Sequence, residues 1–170
     1  MILFLDFDGV LHLGSVYLEK GRPVLRGDGE LFMWASLLIE ALEPHPHIKI
    51  VLSTNWVRSR GFTQAKAFLP KALQKRAIGS TWHSAMNICE YSGARLPYCW
   101  YDEATRFQQI TRYVDRSGVD QWLAIDDLHE GVEAWSEAHQ HRFILTDPNK
   151  GLSDPAALER LKALLQGLSV

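Results

Sequence analysis

Short apolar runs recur along the chain at a length typical of strands that are buried on both faces. Between them lie longer segments in which apolar residues repeat every three or four positions, as expected of helices that pack one face against a sheet. The alternation of strand and helix predicts a Rossmann-like α/β fold, a three-layer α/β/α sandwich with a mainly parallel sheet. The predicted strands comprise residues 2–5, 48–53, 76–81, 121–126 and 142–147.

Helices are predicted for residues 31–43, 63–76, 103–118, 131–140 and 154–168. Pro70 interrupts the second of these segments, since proline is tolerated at a helix start but not inside a helix. Gly118 ends the third segment, and Asp154 caps the fifth, with Pro155 at its first helical position. Each predicted helix is thus bounded by residues that favour its ends.

The chain of 170 residues is long enough to bury a full core, so a single domain over residues 1–170 is predicted. Hydrophobic residues make up 46% and charged residues 22%, which argues against a disordered or coiled-coil protein. The segment 13–30 has room for no more than a flap or hairpin. A longer loop, residues 83–101, is rich in Tyr, Trp, Gly and Pro.

The net charge of −2 provides no electrostatic footprint for nucleic acid or for an anionic membrane. Nothing in the composition specifies an oligomeric state. The N-terminus lacks the basic and long apolar regions of a signal peptide, and no run of about 18 apolar residues occurs. These features predict a cytoplasmic protein without a membrane partner.

Polar residues follow three of the predicted strands at the points where those strands end. Ligands of an open parallel sheet bind beyond the carboxyl ends of its strands, so these residues are expected to face one crevice. Four carboxylates in one crevice would raise each other's pKa unless a cation lay among them. Mg²⁺ prefers oxygen ligands and is therefore the predicted cofactor. The residues are Asp6, Asp8, Ser53, Thr54, Asn55, Asp126 and Asp127.

The spacing of the first two acids predicts their chemistry. Residues two apart on an extended segment point the same way, so Asp6 and Asp8 face the crevice while Phe7 turns into the core. Gly9 then lets the backbone approach a ligand closely. One carboxylate can act as a nucleophile, and the other can give a proton to a leaving group and take one from water. A hydroxyl and a cationic side chain nearby would hold the phosphoryl oxygens.

The motifs LFLDFDGVL, IVLSTN and LAIDD, in this order, resemble those of the haloacid dehalogenase (HAD) superfamily, most of whose members are Mg²⁺-dependent phosphotransferases. The resemblance implies that Asp6 is the nucleophile that forms an aspartyl-phosphate. It implies that Asp8 is the general acid/base. The phosphate-binding hydroxyl would be that of Thr54, with Ser53 as the alternative register.

The acidic and basic motifs of the superfamily complete the implied site. Asp126 matches the acidic metal-binding motif, and Asp127 either joins it or caps the following helix. The basic residue of the superfamily lies at the start of the helix before the acidic strand, where Arg106 is the candidate. The implied metal ligands are Asp6, Asp8, Asp126 and Asp127.

The segments LSTNWVR, TRFQQITRYV and LTDPNKGLSDPAALERLKALL are similar to compact HAD-like domains of predicted RNA-repair proteins. Gly9, Asn55 and Arg58 are the substrate-binding candidates. Superfamily members usually select substrates through a cap domain inserted after the first or second motif, and this chain has no room for one. The open site suits a bulky substrate such as a nucleic-acid end, or a small metabolite enclosed by the 83–101 loop or a second subunit.

The predicted function is Mg²⁺-dependent hydrolysis of a phosphorylated substrate through an aspartyl-phosphate. One alternative is a non-catalytic HAD-like module that binds phosphate groups or a partner, and the presence of both Asp6 and Asp8 argues against it. Another is a receiver-like signalling domain, which also gathers acids around Mg²⁺ at strand ends. The acidic pair of a receiver normally ends the first strand, whereas here the Asp-Asp pair comes late in the chain.

Overall fold

The computed structural model describes residues 1–89, 91–127 and 137–167. Its strands are β1 (Ile2–Leu5), β2 (Val16–Glu19), β3 (Arg22–Leu25), β4 (Lys49–Leu52), β5 (Ala77–Ser80), β6 (Trp122–Asp126) and β7 (Phe143–Leu145). Five of them form a parallel sheet in the order β5-β4-β1-β6-β7, so β1 lies at its centre. The strands β2 and β3 form a separate antiparallel hairpin.

The helices that the structure describes are α1 (Ala35–Leu42), α2 (Asn55–Arg60), α3 (Phe62–Phe68), α4 (Lys71–Arg76), α5 (Trp100–Glu103), α6 (Arg106–Ser117), α7 (Glu137–Gln140) and α8 (Pro155–Gly167). Short 3₁₀ helices occupy Ser84–Asn87 and Gly151–Ser153. The break predicted at Pro70 separates α3 from α4.

Helices cover both faces of the sheet. On one face, Leu5 of β1 packs in a core with Leu38 of α1 and Leu161 of α8. On the other face, Phe4 of β1 packs in a second core with Ile110 of α6. Because successive residues of a strand point to opposite faces, the uninterrupted apolar run of β1 supplies both cores. The predicted three-layer α/β/α sandwich is confirmed.

The helix predicted for residues 31–43 begins later than expected. Phe32 has a φ of 63°, a left-handed conformation that an α-helix of L-residues does not contain. Residues 31–34 therefore form turns, and α1 begins at Ala35.

The segment 103–118 forms the end of one helix and the whole of another, where a single helix was predicted. The hydroxyl of Thr105 accepts a hydrogen bond from the backbone N–H of Gln108 and caps a new helix. Arg106 is consequently the first residue of α6, and Gly118 ends that helix in a left-handed conformation, as predicted.

Two predicted segments lie outside the parallel sheet. The flap predicted for residues 13–30 contains the β2–β3 hairpin, and a backbone hydrogen bond joins Gly14 to Pro148 beside the sheet. The described residues of the 83–101 segment are mostly irregular. The helix predicted for residues 131–140 falls outside the described residues except for its last turn, α7. Among the helices that are described, none is long and apolar enough to cross a membrane.

Candidate active site

The register of the sheet aligns the ends of three strands. Leu5 of β1 lies opposite Leu52 of β4 on one side and Ile125 of β6 on the other. The residue after each of these three therefore lies at the same level, at the carboxyl edge of the sheet. These three residues are Asp6, Ser53 and Asp126.

The same three residues point to the same face of the sheet. Leu5, Leu52 and Ile125 all contribute to the core that contains α1 and α8. Alternation along a strand then directs the following side chains toward the opposite face, which α6 covers. Asp6, Ser53 and Asp126 are each at least 96% buried there.

Arg106, at the start of α6, lies among these acids. Its Nε donates a hydrogen bond to Asp126 Oδ2 at 2.7 Å, and one Nη lies 3.7 Å from Asp6 Oδ2. Its other Nη donates to the side chain of Gln109, which in turn donates to the backbone carbonyl of Tyr101. The guanidinium is thus held on both sides, and the structure brings the predicted basic residue to the predicted acids.

The electrostatics of the cluster are dominated by burial. Burial raises the pKa of Asp6 well above its ordinary value, the negative charge of Asp126 raises it further, and Arg106 opposes both effects. Burial also disfavours the charged form of Arg106, but the charges of Asp126 and Asp6 outweigh this and raise its pKa. One guanidinium therefore does not compensate the negative charge of the buried carboxylates.

Asp127 joins the cluster from beside Gly9. Gly9 has a φ of 66°, and a Cβ at this position would overlap the carboxylate of Asp127. Glycine is therefore required both for the turn after Asp8 and for the approach of Asp127. The alternative role of Asp127, as the cap of a following helix, concerns residues outside the described part of the chain.

Three carboxylates fit a divalent cation. Asp6, Asp126 and Asp127 each offer an oxygen, and these oxygens lie within 4.8 Å of one another. Mg²⁺ binds carboxylate oxygens at about 2.0–2.1 Å, so small side-chain movements would bring all three into its coordination sphere. Burial raises the pKa of Asp6 and of Asp127, the charge of Asp126 raises both further, and a bound cation would favour the ionised carboxylates. The donor set and its charge therefore suit Mg²⁺.

The carboxylate of Asp8 has different partners. The indole Nε1 of Trp56 donates to Asp8 Oδ1 at 3.1 Å and to Oδ2 at 3.0 Å, and His12 Nε2 lies 3.0 Å from Oδ1. About 29% of the Asp8 side chain is exposed. The structure thus separates two carboxylates that the sequence spaces two residues apart: Asp6 is buried in the cluster, and Asp8 is partly exposed. The prediction that Asp8 also binds the metal stays a prediction.

The two candidate hydroxyls differ in their partners. Thr54 is the N-cap of α2, and its Oγ1 accepts a hydrogen bond from the backbone N–H of Trp56. Ser53 is 1% exposed, and its Oγ has no hydrogen-bond partner among the described residues. A buried hydroxyl without a partner is unfavourable, so a phosphoryl oxygen or water at this position would satisfy it.

The two remaining substrate-binding candidates, Asn55 and Arg58, lie on α2, and Asn55 is its first residue. Asn55 and Arg58 line a cleft of about 220 Å³ that reaches Arg106. Arg58 forms a two-pronged ion pair with Asp102 of α5 and donates to the carbonyl of Pro97. The pair lowers the pKa of Asp102 through the hydrogen bonds from Arg58. Arg58 thus links α2 to the end of the 83–101 loop.

The family comparison agrees with this geometry. A family model described as "HAD domain in Swiss Army Knife RNA repair proteins" matches residues 2–157. The chain belongs to this family. No curated protein and no solved structure matches the chain of this HAD domain. Its parallel sheet and buried Asp cluster are those expected of a HAD domain, and they confirm the resemblance on which the superfamily assignment rests.

Two residues beside Asp8 in this HAD domain are not among those predicted. Trp56 follows the second motif, and an aromatic residue at that position is also typical of a core side chain. His12 lies four residues after Asp8, and this proximity is the one sequence signal that could have identified it. The hydrogen bonds of both side chains become visible only when the turn after Gly9 and the start of α2 are placed in space.

The charge of the cluster predicts that Mg²⁺ stabilises the protein more at pH 7.5 than at pH 5. Burial, followed by the charges of Asp126 and Asp8, raises the pKa of Asp127 from 3.8 to about 6. Without metal, ionisation of Asp127 therefore reduces stability as pH rises through this range, whereas Mg²⁺ binds the ionised form. The measurement is the difference in Tm with and without Mg²⁺ at each pH, with Asp127→Asn as the control. An equal difference at both pH values would contradict the assignment.

Proposed function

We propose that this HAD domain is a Mg²⁺-dependent phosphohydrolase that acts through an aspartyl-phosphate on Asp6. The observation that carries the proposal is the division of environment between two carboxylates, Asp6 buried beside Arg106 and Asp8 partly exposed. A nucleophile benefits from a fixed position in a site that excludes water, whereas a proton donor must reach the leaving group. The membership of the HAD family supports the same chemistry.

The two half-reactions use the same residues. An oxygen of the Asp6 carboxylate attacks phosphorus, the bond to the leaving oxygen breaks, and Asp8 gives that oxygen a proton. Water then attacks the aspartyl-phosphate, Asp8 takes a proton from it, and inorganic phosphate leaves with the Asp6 carboxylate restored. Ser53 and Arg106 would hold phosphoryl oxygens, and the unpartnered hydroxyl supports Ser53 over Thr54 in this role.

The metal would be held by Asp6, Asp126 and Asp127. When bound, Mg²⁺ would supply positive charge to the phosphoryl oxygens and to the carboxylate cluster. The hydrogen bond from the backbone N–H of Phe7 to Asp6 Oδ1, at 2.8 Å, holds the nucleophile's carboxylate in place. The chain's own contribution is therefore to bury, orient and separate the reacting groups.

Asp6→Asn is expected to abolish Mg²⁺-dependent hydrolysis of 4-nitrophenyl phosphate. The amide keeps the shape of the side chain but is not a nucleophile and carries no charge for the metal. The measurement is steady-state turnover by the folded variant, with Asp154→Asn, at the half-buried cap of α8, as the matched control. Unchanged turnover in Asp6→Asn would refute the nucleophile assignment. A wild type that binds Mg²⁺ and phosphate without turnover would favour the non-catalytic alternative.

The substrate class is a second part of the proposal. The family description names RNA repair proteins, and this supports a phosphorylated RNA end as the substrate of this chain. Arg58, Arg60 and Arg95 line a second cleft of about 760 Å³, which shares Arg58 with the cleft that reaches Arg106. Three cationic side chains would contact phosphates that precede or follow the reacting one. The overall charge of −2 limits this attraction to the cleft itself.

RNA oligonucleotides with a terminal phosphate are expected to have a higher kcat/KM than the matching mononucleotides at low salt. The advantage is expected to decrease as salt rises, because contacts to flanking phosphates release counterions. Arg95→Gln should reduce the advantage, and Lys75→Gln, on α4, should not. The measurement is phosphate release from 5′- and 3′-phosphorylated substrates across a salt series. Faster turnover of mononucleotides at every salt concentration would instead support a small metabolite.

A further inference from the structure

We propose that Trp56 and His12 are positioning residues that hold the Asp8 carboxylate for its two proton transfers. The inference rests on the proposed function, because it assigns a role to the contacts of the residue that would act as the general acid/base. Three hydrogen bonds from these two side chains converge on one carboxylate, at 3.0 to 3.1 Å. The side chain of Asp8 remains about 29% exposed beside these contacts.

The indole of Trp56 determines the plane of the carboxylate. Its single N–H lies between the two oxygens of Asp8, 3.1 Å from Oδ1 and 3.0 Å from Oδ2. A donor shared in this way resists rotation of the carboxylate about its terminal bond, since rotation would lengthen one or both contacts. The position of Trp56 itself is fixed by α2, whose N-cap Thr54 accepts a hydrogen bond from the backbone N–H of Trp56.

His12 contacts one oxygen of Asp8, and a hydrogen bond to the other nitrogen of its ring fixes the orientation of the imidazole. The backbone N–H of Phe32 donates to His12 Nδ1 at 3.3 Å, so Nδ1 carries a lone pair and the ring proton lies on Nε2. Nε2 then donates to Asp8 Oδ1. Phe32 presents its N–H from a φ of 63°, a backbone conformation that is unfavourable for this residue. The local strain at Phe32 therefore accompanies a specific contact to the histidine.

A cluster of aromatic rings prevents these donors from moving away. Trp56 contacts the rings of Phe7, Phe32 and Phe68 edge-to-face at centroid distances of 5.1 to 5.7 Å, and His12 contacts Phe32 at 4.9 Å. His12 is fully buried. Aromatic pairs of this geometry add to the stability of a packed core. Asp8 is consequently held by donors whose rings are fixed by packing, while part of its side chain remains accessible to solvent.

A fixed orientation matters more for Asp8 than for a residue that acts once. The same carboxylate must deliver a proton to the leaving oxygen and then accept one from the attacking water. Proton transfer requires a hydrogen-bonded geometry, and small displacements of a reacting group reduce rates steeply. Loss of Trp56 or His12 should therefore slow both proton transfers while leaving the nucleophile Asp6 in place.

The test uses two aryl phosphates of nearly the same shape. 4-Nitrophenolate leaves without a proton, whereas the more basic phenolate of phenyl phosphate requires one, so the ratio of their kcat/KM values reports on the general acid. The variants are Trp56→Phe, which keeps a ring but removes the donor, and His12→Leu. His12→Gln retains a side-chain N–H at a similar distance. Asp8→Asn is the reference, and Trp122→Phe, at the opposite end of β6 from Asp126, is the matched control.

In Trp56→Phe and His12→Leu, kcat/KM for phenyl phosphate is expected to fall about 10-fold or more, with a change of less than about 3-fold for 4-nitrophenyl phosphate. For the latter substrate, kcat and KM should fall together, since hydrolysis of the aspartyl-phosphate becomes slower. His12→Gln should recover part of the phenyl phosphate activity, and Trp122→Phe should leave the ratio unchanged.

Each other outcome contradicts one part of the account. If Asp8→Asn changes the ratio but folded Trp56→Phe does not, the positioning role is wrong and the proposed function stands. Equal losses on both substrates would also refute the positioning role, because they indicate damage to the nucleophile or the fold. If the wild type hydrolyses neither substrate, or if Asp8→Asn leaves the ratio unchanged, the proposed role of Asp8 fails and the inference fails with it. Thermal unfolding of each variant verifies that it is folded.

Discussion

The parallel pairing of β1 with β4 and β6 places Asp6, Ser53 and Asp126 side by side on one face of the sheet. The apolar residues before them make this placement obligatory, because Leu5 and its partners must remain in the core beneath α1 and α8. The hydrophobic effect thus forces two carboxylates into a buried position where their charges repel. Arg106 at the start of α6 relieves part of the repulsion, and the proposed Mg²⁺ relieves the rest.

The turn after β1 gives the second acid a different environment. Gly9 reverses the chain in a left-handed conformation, and the following turn brings His12 back to Asp8. In the segment Ser53–Trp56, Ser53 follows β4 with its side chain buried, Thr54 caps α2, and the indole N–H of Trp56 donates to Asp8. Four consecutive residues therefore extend from the end of β4 to the partly exposed Asp8. A nucleophile and a proton donor can be neighbours in sequence because different elements surround them.

Much of the fold follows from local patterns in the sequence. The apolar run predicted β1, which precedes Asp6. Gly118 predicted the end of α6, which begins with Arg106, and Pro70 predicted the break before α4. The predicted start of α1 was wrong, because Phe32 is left-handed and its backbone N–H donates to His12, a residue 20 positions earlier in the chain. Local propensity contains no information about such a contact.

Prediction of the site from the sequence is limited in the same way, by contacts between residues that are distant in the chain. In the second motif the resemblance favours Thr54 over Ser53, whereas the structure shows Thr54 Oγ1 bonded to the backbone of α2 and a buried Ser53 Oγ without a partner among the described residues. Trp56 has the apolar character of a core residue, and its hydrogen bond to Asp8 depends on the direction of one N–H. Directions of this kind arise from packing between elements that are distant in sequence.

The most direct test of the account is a crystal structure of the protein with Mg²⁺ and beryllofluoride, a mimic of the phosphoryl group. The account predicts beryllium bonded to an oxygen of Asp6 and an ion about 2.1 Å from oxygens of Asp6 and Asp126. It also predicts a hydrogen bond from Ser53 Oγ, and not from Thr54 Oγ1, to a fluoride. Beryllofluoride bound away from Asp6, or a metal ion held without Asp6 and Asp126, would contradict the central claim.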